Sequence, residues 1–123
     1  MESEHFSHEE LACSGGDCAY CGGRNFILPL TVNLLEIARY LADAAIYLSC
    51  ACRCPVHNKS VGSRLYSWHP RGGAVDVVRI GRYTCATQEG RDKIVEIMTA
   101  AGFRCIDETD HIHCDVNHYI KRH

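Results

Sequence analysis

Three side chains in this sequence are of the types that hold a zinc ion. They are His69, Asp76 at the start of an apolar run, and His113 inside a second apolar run near the C-terminus. Zinc takes imidazole nitrogen and carboxylate oxygen, and a hydrolytic centre uses three such protein ligands and leaves a fourth position to water. His69, Asp76 and His113 are therefore the candidate catalytic metal set. On a strand through His113, the two-residue period puts His111 and Asp115 on the same face. His111 would then look at the metal and could stabilise the charge that develops during reaction. Asp115 would accept an imidazole N–H and fix a tautomer.

The cysteines offer a second centre. Cys13, Cys18 and Cys21 stand in the glycine-rich stretch 13–23, a loop of the kind that folds around a metal. A closed tetrahedral site needs a fourth ligand, for which Cys52, Cys54, His5 and His8 are candidates; the alternative is a loop whose thiols are incidental or form one disulfide. Nine cysteines with no secretion signal read as reduced thiols or metal ligands rather than a disulfide framework. Cys50, Cys105 and Cys114 lie in apolar contexts and read as small buried hydrophobes.

The elements that must position these groups follow from pattern. Ser7 and Glu10 form a capping box, which predicts a short helix from His8 to near Cys13. From Pro29 to Ala42, Leu30, Leu34, Ile37 and Leu41 recur at helical spacing behind a first-turn proline, which predicts a core helix. Ile46 to Cys50 reads as a buried strand. Val61 to Tyr66 reads as a loop leading into the His69 segment, where Gly72 and Gly73 permit close backbone approach beside the metal. Ala74 to Val78 is a strand with Ala74, Asp76 and Val78 on one face. Arg79 to Ala86 carries no clear signal and reads as a connection. Thr87 caps a second core helix bearing Ile94, Ile97, Met98 and Ala101, which Gly102 stops. Two strands follow, 103–106 and 111–116, joined by the acidic turn 107–110, with Ile112, Cys114 and Val116 on the buried face.

At 123 residues the chain has the size of one domain, 1–123, with a modest core. Its 46% hydrophobic and 23% charged residues exclude a disordered chain. A net charge of -2 with both signs dispersed lacks the basic stripe that nucleic acid requires, so no nucleic-acid partner is expected. No apolar run approaches the roughly 20 residues of a membrane span, and the first residues lack the pattern of a signal peptide. The expectation is a protein without a membrane span, made and first held in the cytoplasm.

Ser67, His69, Gly72, Ala74 and Asp76, in the pattern S-x-H-x-x-G-x-A-x-D, are followed at a distance by the apolar-His-x-Asp of Ile112, His113 and Asp115. This set resembles the zinc D-Ala-D-Ala peptidases and L-Ala-D-Glu endopeptidases of cell-wall metabolism, the peptidase M15-like group, whose fold is shared with the hedgehog signalling domain. The resemblance covers most of the chain and implies an α+β fold, a small antiparallel sheet with flanking helices. It also assigns roles. Arg53 takes the place of the arginine in the family stretch S-G-Y-R-x-P-x-H-N, with Pro55, His57 and Asn58 following, though here cysteines stand at 50, 52 and 54. Its fork of donors suits a substrate carboxylate or an oxyanion. Ser67 matches the family serine and would hydrogen-bond substrate. Asp110 stands where the D,D-peptidases carry their catalytic glutamate, three residues before the last histidine ligand; the hedgehog-like register nominates Asp107 instead, with Glu108 also in the turn.

The function so implied is a zinc metallopeptidase that cuts a peptide bond in the peptidoglycan stem, as carboxypeptidase or endopeptidase. Size and the missing signal suit a phage-type lysin, released onto the wall by a holin or carried by a phage structural protein. Two other classes compete: a non-catalytic zinc-binding interaction module of the same fold, and a cysteine-rich metal-buffering or redox protein.

Overall fold

An antiparallel sheet with two long helices on one face is the frame of the molecule. The computed structural model describes residues 2–62 and 67–120. Helix α1 (His8–Leu11) is short and carries the full capping box, Ser7 Oγ accepting the Glu10 amide while the Glu10 carboxylate accepts the Ser7 amide. After a 3-10 turn at Cys13–Gly16 and the glycine-rich loop come α2 (Pro29–Ala42), β1 (Ile46–Cys50) and α3 (Pro55–Ser60). A second 3-10 turn, His69–Arg71, leads into β2 (Ala74–Ile80), β3 (Tyr83–Thr84) and α4 (Gln88–Ala101). The chain then forms β4 (Arg104–Asp107), β5 (Ile112–Asp115) and α5 (Asn117–Ile120).

The strand order is β1-β2-β5-β4, with β3 pairing the far end of β2. Helix α4 lies against β3, β4 and β5 and packs on α2. The core between them is built from Leu35 and Ala38 of α2, Ile94 and Met98 of α4, and Val75, Val77, Ile112 and Cys114 of the sheet, all essentially without solvent contact. No helix among the described residues is long and apolar enough to cross a membrane.

Helix α2 has the bounds its sequence predicts, but it buries a different stripe. Thr31, Val32, Leu34, Leu35 and Ala38 face inward, while Ile37 and Leu41 are 46% and 50% exposed. The rotation is set at its first turn: the Gly72 carbonyl accepts both the Leu28 amide and the Thr31 hydroxyl, each at 2.9 Å, which fixes Thr31 inward. The segment 79–86 is also not a plain connection. Strand β2 runs on to Ile80, turns at Gly81 with φ +56, and β3 folds back on it. Thr87 caps α4 through the Gly90 amide at 3.0 Å, as expected. Of the loop expected over 61–66, Val61 and Gly62 form a turn after α3, and 63–66 lie outside the described residues.

Candidate metal centre and active site

Strand register brings the site together. Cys50 pairs with Asp76, Asp76 with His113, and His113 with Ile106, so one row crosses the sheet from β1 to β4. Opposed residues of an antiparallel pair share a face. Asp76 and His113 therefore emerge together, on the side of the sheet away from the Val77 and Ile112 that face the helices. His69 joins them from the 3-10 turn before β2. That turn ends at Gly72, whose φ of +72 is glycine territory. The close approach at Gly72 is to the Phe26 carbonyl and the start of α2, and that at Gly73 is to the Trp68 ring, so both glycines serve packing rather than contact with a metal.

His69 Nε2 lies 3.1 Å and His113 Nδ1 3.4 Å from the same oxygen, Asp76 Oδ1. The other nitrogen of each ring is tied off. His69 Nδ1 donates to the Ala51 carbonyl at 2.7 Å, and His113 Nε2 donates to Asp115 at 2.8 Å. Asp115 is fully buried, gripped through both oxygens by the Arg104 guanidinium at 2.9 and 2.6 Å and by the Asn117 amide. This is the orienting arrangement expected of Asp115 from sequence, with Arg104 as an unforeseen further layer.

The electrostatics are those of a buried polar cluster. Burial works against a charged imidazole, but Asp76 and Cys50 push the His69 pKa up to about 10, and Asp115 and Asp76 push His113 up to about 9. Burial likewise opposes the Asp76 carboxylate, yet His113 and His69 hold it well below the usual range; Asp115 is held down by His113 and Arg104. Two ring nitrogens beside one carboxylate oxygen, with each ring held from behind, fit zinc in donor type and number.

Arg53 stands at the rim. Its guanidinium is 3.9 Å from Asp76 Oδ2 and donates to Asn58 and to the Cys50 sulfur, both at 3.2 Å, while its amide bonds the His69 carbonyl. His111 is half-buried, with Nε2 3.7 Å from Asp76 Oδ2 and Nδ1 2.6 Å from Asp110 Oδ1. Asp110 is 86% exposed and reaches the centre through this histidine. Ser67 accepts the His69 amide at 3.3 Å, bracing the turn that presents the ligand. Asp107 does not belong to this face: it is paired with Ile112, and its carboxylate turns to Arg91 of α4 at 3.2 Å and to the Thr109 amide. Glu108 is exposed in the turn.

Cys50 was read as a buried hydrophobe, and it is instead a member of the site row. Its sulfur lies 3.6 Å from His69 Nδ1, and the three side chains of Cys50, His69 and Asp76 can bring one donor atom each within 4.8 Å of one another. It approaches the nitrogen already given to Ala51, however, and is itself hydrogen-bonded by Arg53, so it flanks the metal set rather than replacing His113. The register slips between Leu48 and Cys50, and that irregularity sets Cys50 opposite Asp76. Two-residue periodicity alone could not place it.

A second cluster lies beyond Arg53. Cys13, Cys18, Cys21 and Cys54 bring their sulfurs within 4.8 Å of one another. Of the four candidates for a partner to the loop cysteines, Cys54 is the one that arrives. Cys52 is buried against the Phe26 amide, His5 is bound to Glu36 and His8 neighbours Asn25. Burial pushes the Cys13 thiol up to about 12; Cys18, despite burial, is drawn down to about 6 by the Tyr20 and Cys21 amides. All nine cysteines are free thiols. A cleft of about 410 Å³ is lined by Ser14, Leu48, Cys50, Arg53, His57 and Val61 among others.

The family model described as Peptidase M15 matches residues 4–115. Among solved structures, the chain is similar to the L-Ala D-Glu endopeptidase ChiX of Serratia marcescens, at 20% identity and a TM-score of 0.55, over 72% of this chain and 79% of that one. This likeness shows the α+β fold with its small antiparallel sheet. No curated protein matches the sequence significantly.

Proposed function

The chain belongs to the peptidase M15 family, and on that premise we propose that it is a zinc metallopeptidase hydrolysing a peptide bond of the peptidoglycan stem, as D,D-carboxypeptidase or endopeptidase. The convergence of His69 Nε2 and His113 Nδ1 on Asp76, each ring fixed from behind by Ala51 or Asp115, is the observation that carries it. His69, Asp76 and His113 would hold a zinc ion, which would supply Lewis acidity toward a scissile carbonyl and lower the pKa of water to about 7.

The chain's own residues do the rest. Asp110, held by His111 at 2.6 Å, accepts the proton of the attacking water and returns it to the leaving amine. His111 bridges Asp110 to the centre and offers a donor to developing negative charge. Arg53 lines the cleft, and its planar fork suits a terminal carboxylate or the oxyanion. Ser67 holds the His69 turn and can hydrogen-bond substrate. The cleft along β1 is of a size for an extended peptide of a few residues. The name of the similar structure, an L-Ala D-Glu endopeptidase, supports the stem peptide as substrate. A lysin-like role, with a holin or phage structural protein as delivery partner, accords with that substrate.

The test is digestion of purified peptidoglycan and defined muropeptides by the zinc-loaded protein, with products identified by mass. New amino groups or free D-alanine, lost with a chelator and with Asp110→Asn, are expected. Zinc bound at His69, Asp76 and His113 with no bond cut in any stem peptide would move the protein to the non-catalytic module.

A further inference from the structure

We propose that Cys13, Cys18, Cys21 and Cys54 bind a second zinc ion in a closed tetrathiolate centre that staples the N-terminal loop to the start of α3. The proposal is independent of the hydrolytic reading, since none of these residues belongs to the His69 centre. Tetrahedral zinc with Zn–S bonds near 2.3 Å sets its sulfurs about 3.8 Å apart. The four sulfurs lie within 4.8 Å of one another, and Cys18 and Cys54 are 3.9 Å apart. Such a quartet leaves no open position, so the ion is structural.

A second, independent observation is the hydrogen bonding. Each sulfur accepts a backbone amide: Cys13 from Cys54, Cys18 from Tyr20, Cys21 from Arg24 and Cys54 from His57, at 3.3–3.4 Å. Neutral thiols gain little from such donors, whereas thiolates gathered on a cation need them to spread excess negative charge. The His57 ring adds a further polar neighbour, with Nδ1 3.5 Å from Cys13 and 3.9 Å from Cys18. The backbone is shaped to match. Gly22 and Gly23 take φ of +75 and +85 just after the Cys18-x-x-Cys21 pair, and the Gly22 amide bonds the Cys18 carbonyl at 2.9 Å. A Cβ at Gly23 would stand 2.2 Å from the Gly16 carbonyl oxygen, so the loop closes only with glycine there.

The staple has a place in the architecture. Cys54 caps α3 and follows Arg53 directly, while Cys13 follows the end of α1. The backbone seam beside them, Cys52 amide to Leu11 carbonyl and Cys13 amide to Arg24 carbonyl, already joins the same segments. An ion at the quartet locks that seam and with it one wall of the cleft.

The experiment loads the full chain with cobalt(II) and reads its spectrum. Intense thiolate-to-cobalt charge-transfer bands are expected, unchanged in His69→Ala and lost in the Cys18→Ser, Cys21→Ser double variant. Zinc content should fall from two per chain to one in either variant. A readout without substitution guards against a variant that fails to fold. Alkylation of the native zinc-loaded protein, mapped by peptide mass, should spare Cys13, Cys18, Cys21 and Cys54 until a strong chelator is added. No thiolate bands and one zinc, removed by His69→Ala alone, would overturn the proposal. So would a disulfide among the four in the intact protein purified without reductant.

Discussion

Among the described residues, four basic side chains converge on the Asp76 carboxylate, His69 and His113 on one oxygen and His111 and Arg53 on the other. On the proposed reading the two oxygens divide the work: one would complete the ligand set and the other would anchor groups that meet substrate. Asp110 lies outside that cluster and touches it through His111, so its charge can be removed without dismantling the centre. Asp110→Asn should lower kcat by about 10²–10⁴-fold and leave the zinc content unchanged, read by steady-state cleavage of a muropeptide beside elemental analysis. Arg104 is the opposite case, reaching the proposed centre through Asp115 and His113. In Arg104→Met the buried Asp115 loses its bidentate partner and the His113 ring its fixed backing. Zinc affinity at this centre should drop by about 10–100-fold, measured by competition with a chromophoric chelator; an unchanged affinity would mean that His113 is oriented by packing alone. Among residues, the meeting of His69 and His113 at Asp76 was legible because their chemistry is rare and their spacing characteristic. Cys50 and Arg104 were not, because they enter the site through strand register, which no single segment encodes.

Elements hold these residues by a few specific joints. Gly72 ends the His69 turn, and its carbonyl binds the first turn of α2, so one residue fixes both the ligand and the rotation of the helix. Gly72→Ala would bring a Cβ within 2.2 Å of the Phe26 carbonyl oxygen at φ +72. A left-handed non-glycine residue alone costs about 1–3 kcal/mol, so the urea midpoint should fall correspondingly, with zinc affinity falling too as the His69 turn shifts. The second joint is at the other end of the chain. Glu36 on α2 accepts the Ser3 hydroxyl, the His5 amide and the His5 ring. Burial opposes its charge, but these donors hold its pKa below the usual value. A depressed carboxylate stabilises above its unfolded pKa of about 4.3 and ceases to do so as pH falls through the folded value. Protection factors of the amides at 3–6, taken against intrinsic exchange at each pH, should therefore fall as the solution is acidified below about pH 4.3, and Glu36→Gln should show the lowered protection already at neutral pH. Helix ends were legible because proline, capping residues and glycine mark them chemically. The buried stripe of α2 was not: Ile37 and Leu41 are as apolar as Leu34 and Leu35, and only the tertiary bond from Thr31 to Gly72 decides which pair turns inward.

At the scale of the molecule, the sheet divides the labour. One face and the two long helices make the core, and the opposite face carries the metal set, with the cleft and cysteine quartet beside it along β1 and α3. The α+β class was legible because alternating apolar segments, helix caps and the motif residues agreed with one another. The cysteine quartet was legible only in part, since Cys54 lies far in sequence from the Cys13–Cys21 loop and joins it only after α1 and β1 have been placed. This division predicts how the whole chain responds to zinc. An ion that binds only the native state raises stability by RT ln(1 + [Zn]/Kd), about 2.7 kcal/mol when free zinc is 100-fold above Kd. For a chain of this size each kcal/mol is worth roughly 3–5 °C, so a single occupied centre should lift Tm by about 10 °C. Two centres of different affinity should give two rises as buffered free zinc is increased in thermal scans. The tetrathiolate rise should come at lower zinc, because four converging thiolates with no position left to solvent bind more tightly than two imidazoles and a carboxylate that keep one open. His69→Ala should remove the later rise and the Cys18→Ser, Cys21→Ser variant the earlier one. A Tm indifferent to free zinc in His69→Ala would place all of the metal-linked stability in the hydrolytic centre and leave the N-terminal loop held by its backbone seam alone.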